Sequence, residues 1–300
     1  MAKANDPTTT QAEKKPRLSL VGMADLCDEG TAPDWLVERV LVRDQPMLIG
    51  GPHKSLKTSL ALDLAVSLAT GTRFLNTFAV PKSCTVAVFS GESGRQVINE
   101  TVQRICRAKG RNPAECDVLC GFTLPRLGSA ADRNELRHLV RDNGIGVVIV
   151  DPLYLCMGGD RPVAASNLYE VGPVLAQFAD ASRRAGATPV FVHHTVKATS
   201  AKRTTVGLSD LAFAGVAEFA RQWLLVGRAA EYVPGSGVHD LSLSIGGSAG
   251  HSSRWAVRVD EGREVGQRRW ALRVRSDGGS EGAAERPRPK YASLADAGKM

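Results

Sequence analysis

The sequence predicts an α/β domain, a mostly parallel central sheet covered by helices and extended by antiparallel strands towards the C-terminus. Three observations predict it. Short apolar runs alternate with helical patterns from about residue 47 to residue 192. These runs are continuously apolar rather than alternating, as strands buried on both faces must be. From Gln222 onward, strand-like runs follow one another through Gly-rich turns with no helix between them, which suits antiparallel pairing.

In chain order, residues 1–18 are polar, Pro- and Lys-containing and aperiodic, and are expected to form a disordered tail. Met47 to Ile49 is the first strand of the main run. Leu60, Leu64 and Leu68 recur at helical spacing and predict a helix over 57–70. Strands are expected at 85–89, 146–150 and 188–192, and helices at 94–109, 129–142 and 167–185. The later runs, 223–226, 241–245, 255–259 and 270–274, form the C-terminal β extension, spanning about 222–275, which either continues the main sheet or caps it. Residues 19–275 are read as one domain, and the Gly- and Pro-rich segment 276–300 as a second tail.

Chemistry concentrates where the first strand meets its helix. Gly51-Pro52-His53-Lys54-Ser55-Leu56-Lys57-Thr58-Ser59 follows the phosphate-binding pattern G-x-x-x-x-G-K-[ST] except at Leu56, which stands at the second glycine. In such a loop backbone N–H groups wrap a nucleoside triphosphate, the lysine reaches its outer phosphates and the hydroxyl holds Mg²⁺. Leu56 lies where the backbone closes on a phosphate and a Cβ is awkward. Lys54 adds a second positive charge.

Two acids end later strands. Glu92 closes Phe89-Ser-Gly-Glu92, at the carboxyl end of a strand, where sites of open α/β sheets gather. It is read as the base for an attacking water, with favourable placement at a helix N-terminus as the alternative. Asp151, after the apolar run Gly146-Val-Val-Ile-Val150, is read as an Mg²⁺ partner opposite Thr58. Thr188-Pro-Val-Phe-Val-His193-His194 ends the next strand. Adjacent strand residues face opposite ways, so His194 is read as a phosphate sensor and His193 as a hydrogen-bonded core residue.

Lys197, Lys202 and Arg203, in the basic loop 195–209, suit nucleic-acid phosphate contacts, although a solvated loop has the same composition. Arg221 and Arg228 bracket the strand at 222 and are candidates for a finger reaching a neighbouring subunit's nucleotide. Between residues 254 and 275, arginines alternate around Trp255 and Trp270; they either form a basic face or keep an edge strand soluble.

The chain of 300 residues carries a formal charge of +7, consistent with a polyanionic partner without requiring one. Its six cysteines are scattered, with no paired C-x-x-C spacing for zinc. No apolar run is long enough to span a bilayer and no secretory segment opens the sequence, so no membrane association and a cytoplasmic location are expected.

The ordered set Gly-Pro-His-Lys-Ser-Leu-Lys-Thr, Phe-Ser-Gly-Glu, Val-Ile-Val-Asp-Pro-Leu and Val-His-His-Thr-Val-Lys resembles the RecA-like P-loop ATPases, closest to the branch of plasmid RepA-type replicative helicases, over roughly residues 30–230. The resemblance implies ATP and Mg²⁺ as ligands, with Lys57, Thr58, Glu92, Asp151 and His194 in the roles above and the finger at Arg221 or Arg228. It also implies a homo-oligomer, a hexamer in many relatives, acting on single-stranded DNA with separately encoded replication proteins. Two other readings share the sequence: a nucleotide-dependent switch that recruits a protein, and a non-catalytic scaffold for DNA or protein.

Overall fold

The computed structural model describes residues 20–28, 31–196, 205–264, 266 and 268–277. The expected tails lie outside this set apart from Ser276 and Asp277. The chain divides into two units at Pro33. The first contributes α1 (Met23–Asp28), a short helix with no buried residue.

The second unit opens with an antiparallel ribbon of β1 (Trp35–Val37) and β2 (Leu41–Val42). There follow β3 (Met47–Gly51), α2 (Lys57–Thr70), β4 (Thr85–Ser90), α3 (Arg95–Ala108), β5 (Val118–Gly121), α4 (Ala130–Asp142), β6 (Ile145–Asp151), α5 (Leu168–Ala185) and β7 (Thr188–His194). A short helix α6 (Val216–Phe219) leads into β8 (Gln222–Arg228), β9 (Val238–Gly247), β10 (Ser252–Asp260) and β11 (Ala271–Ser276). All four C-terminal runs join one nine-stranded sheet, in the order β11-β10-β9-β8-β3-β7-β6-β4-β5. The extension therefore continues the main sheet.

One expectation is corrected. The extension from Gln222 is not wholly antiparallel: β8 pairs antiparallel with β9 on one side but runs parallel to β3 on the other. The short α6 supplies the return that a parallel strand needs, and it is too brief to show helical periodicity in the sequence.

Apolar side chains alternate between the two faces of the sheet. Met47 and Ile49 of β3 join Leu60, Leu64 and Leu68 of α2 and Ile98 and Ile105 of α3 in one core. Leu48 faces the other way, towards Leu136 of α4 and Val171, Leu175 and Phe178 of α5. Three of the helices have identifiable ends. The Ser129 hydroxyl accepts from the Asp132 N–H at 3.3 Å, and Asn167 accepts from the Tyr169 N–H at 3.0 Å. α2 ends at Gly71, whose φ of 67° is the left-handed conformation of a helix stop. Buried Gln222 joins the first ribbon to β8 by bonding both the N–H (2.8 Å) and the carbonyl (2.9 Å) of Val42. Among the described residues no helix is long and apolar enough to cross a membrane.

Candidate nucleotide site

Parallel register brings the candidate residues to one edge. Gly51 at the end of β3 pairs with His194 at the end of β7, and Ser90 at the end of β4 pairs with Asp151 at the end of β6. The carboxyl ends of all four strands meet there, the usual ligand crevice of an open α/β sheet.

The loop between β3 and α2 is tightly held. A Cβ on Gly51 would lie 2.5 Å from the Val226 carbonyl, so only glycine allows β8 this close. The Ser55 hydroxyl and the Lys57 ammonium both donate to the Pro52 carbonyl, at 2.8 and 2.6 Å. The Arg228 guanidinium donates to the Lys54 carbonyl from outside. Leu56 adopts φ 61° and ψ 20°, the left-handed conformation natural to glycine. Its position in the motif thus keeps the backbone of a glycine while carrying a leucine, whose side chain packs against the core beside α2.

Lys57 is almost entirely buried, and that burial pushes its ammonium down to about 8, against the pull of Asp151 and Glu92. Asp151 is buried too; loss of solvent raises its carboxyl to about 6, opposed by the Thr58 hydroxyl bonded to it and by Lys57. Both shifts have one cause. Both side chains are withdrawn from solvent and their mutual attraction does not offset that loss, so an anion beside Lys57 and a cation beside Asp151 would each be stabilised.

These residues fit a nucleotide and Mg²⁺. The first N–H groups of α2 have no acceptor within the helix and open onto the loop. A hydroxyl and a carboxylate stand paired where Mg²⁺ takes oxygen ligands and keeps several waters.

Glu92 is exposed beyond β4, and its Oε1 accepts from the Tyr154 hydroxyl at 2.7 Å. His194 stacks on His53, with ring centroids 4.1 Å apart, and tilts against Tyr154 at 5.6 Å. Both its ring nitrogens are buried without a hydrogen-bond partner among the described residues. Burial, then Lys57 and His53, lowers its pKa to about 4. It is therefore neutral near pH 7, with one N–H to offer. His193 faces away and its Nε2 bonds the Ala212 carbonyl at 2.7 Å in the core, as the strand alternation predicts.

The sequence-predicted residues separate into three groups. Gly51 to Ser59, Glu92, Asp151, His194 and Arg228 come together. Arg221 does not: it precedes Gln222, which pairs with Met47 at the opposite end of β3, and its guanidinium bonds the Glu218 carbonyl at 3.3 Å. Lys197, Lys202 and Arg203 lie outside the described residues. Sequence reasoning missed Tyr154. The only signal was its position three residues after Asp151, and its partner is 62 positions away.

A family model described as an AAA domain matches residues 11–200, more than half of the chain. The comparison with curated proteins found no match.

Proposed function

Because this chain belongs to the AAA domain family, a family of RecA-like P-loop ATPases, we propose that it is an Mg²⁺-dependent ATPase that works as an oligomer. We propose further that it couples hydrolysis to single-stranded DNA, as a helicase or loader. The observation that carries the ATPase reading is the convergence of Lys57, the Thr58–Asp151 pair and Glu92 at one sheet edge.

Mg²⁺, when bound, would neutralise the charge that develops on the phosphates. Thr58 and Asp151 would hold it. Lys57 exchanges its bond to the Pro52 carbonyl for phosphate oxygens, and its charge is then fully compensated. Glu92, held by Tyr154, orients the attacking water and accepts its proton. The single N–H of neutral His194 contacts the transferred phosphoryl group, and β7 carries the change towards the loop at 195–209. Arg228 acts within its own chain, bracing the phosphate loop through the Lys54 carbonyl.

Leu56 supports a second reading, a slow nucleotide switch, because a leucine in a left-handed backbone resists the rearrangements a glycine would allow. Steady-state ATP hydrolysis with and without single-stranded DNA separates the two. The motor reading expects DNA-stimulated turnover that disappears in Lys57→Ala and Glu92→Gln. Slow turnover indifferent to DNA would give the site to the switch, and no ATP binding at all would remove both.

A further inference from the structure

Strands β9 to β11 bury one face and leave the other bare. Trp255, Val257 and Val259 of β10 and Leu272 and Val274 of β11 point into the core with α2 and α3. The outward row of β10 carries Arg254, Ala256 and Arg258, and that of β11 carries Ala271, Arg273 and Arg275, all exposed. The face forms a trough of about 640 Å³. Its floor is small, Ala256 and Ala271, and its rim carries Arg258, Arg273 and Arg275 together with the carboxylates of Asp240 and Asp260.

Arg258 and Arg273 stand directly opposite each other across the β10–β11 pair. Like charges in that position weaken a sheet. Asp240 holds Arg258 at 3.1 and 3.2 Å, and Asp260 is taken by Arg269. Arg254, Arg273 and Arg275 have no carboxylate partner among the described residues, although Asp277 follows β11 beside the Arg254 backbone. Arg273 and Arg275 leave one strand about 7 Å apart, with Arg258 about 5 Å away on the next. These arginines therefore leave the sheet at regular backbone intervals.

We infer that this face docks the phosphate backbone of duplex DNA. Protein partners need an apolar centre to an interface, and between the charges the outward rows of β10 and β11 offer only alanine, with Val238 of β9 at one side. Single-stranded DNA is gripped by aromatic stacking, and no outward residue of β10 or β11 is aromatic. A double helix needs neither, since positive charge facing its phosphates releases counterions without reading bases. The inference rests on the DNA half of the proposed function and is independent of hydrolysis.

The test is binding of a short labelled duplex to the full chain, without nucleotide, across a salt series. The double variant Arg273→Ala/Arg275→Ala is expected to bind more weakly on every sequence. Its slope of log affinity against log salt should be shallower by about 2, at roughly 0.9 per lost phosphate contact. Arg273→Lys/Arg275→Lys should restore most of that slope, because charge and not fork geometry is at work. An unchanged slope in the alanine variant overturns the inference. So does a preference for the single strand, or a changed oligomeric state in the variant, which would assign the face to a second copy of the chain. ATP hydrolysis is not read in this experiment, so its failure and that of the ATPase reading are separable.

Discussion

Leu56 holds φ 61°, and a side chain in that region costs about 1 kcal/mol or more relative to glycine. Leu56 is the N-cap of α2, a position where glycine is already preferred to alanine. The left-handed backbone adds to that preference, so Leu56→Gly should be more stable than Leu56→Ala by about 1 kcal/mol or more in urea denaturation, since both lose the leucine packing and only glycine relieves the backbone. The opposite order would mean that the loop relaxes out of this conformation. At Tyr154, replacement by phenylalanine removes one hydroxyl from a half-exposed ring and one bond to Glu92. Turnover of ATP should fall about tenfold with nucleotide affinity unchanged, because the base loses its orientation while the phosphate contacts stay. Equal kcat in wild type and variant would show that the contact has no bearing on catalysis. Lys57, Thr58, Glu92 and Asp151 were legible in the sequence because each belongs to a local pattern of strand end and loop. Tyr154 was not, since its contact exists only once β4 and β6 lie side by side.

At the scale of elements, the C-terminal extension is tied to the nucleotide helix through one buried carboxylate. Asp63 of α2 has no exposed surface. It accepts from the Trp270 indole at 2.6 Å and the Leu75 N–H at 3.0 Å, and pairs with the buried Lys109 ammonium at 3.2 Å. Removing the cation alone strands a charge in the core. Lys109→Met should therefore cost about 3 kcal/mol or more in a denaturant titration, and the double variant Lys109→Met/Asp63→Leu should recover part of it. No recovery would locate the loss in packing rather than charge. The continuously apolar strands β3, β4, β6 and β7 were visible in the sequence because both faces of each are covered. The edge strand β5 was not. Its apolar run, Val118-Leu119-Cys120, is only three residues long and half or fully exposed, too short to tell from a loop, and β1 and β2 are too short to show any period.

For the molecule as a whole, the response to acid sums buried groups of opposite sign, His193 and His194 lowered to about 4 against Asp151 raised to about 6, and His193 is the one of these that stands outside the reaction. Burial pushes the His193 pKa to about 4, from an ordinary value near 6.5. The unfolded chain then binds more protons than the folded one between these two values, so stability is full above about pH 6.5 and falls as the pH drops towards 4. The loss from this group is about 3 kcal/mol. Denaturant midpoints measured from pH 7 to pH 4 should fall accordingly, and His193→Gln should flatten the decline; an equal slope in both proteins would assign it to other groups. By itself the sequence determined the parallel core, its helices and the motif positions, because burial on two faces and phosphate-loop geometry leave local, periodic traces. Only the tertiary structure decided that β8 joins the sheet in parallel, that Arg228 reaches the phosphate loop while Arg221 does not, and that Tyr154 meets Glu92. Those outcomes depend on strand order and register, and both arise from long-range packing that no segment encodes alone.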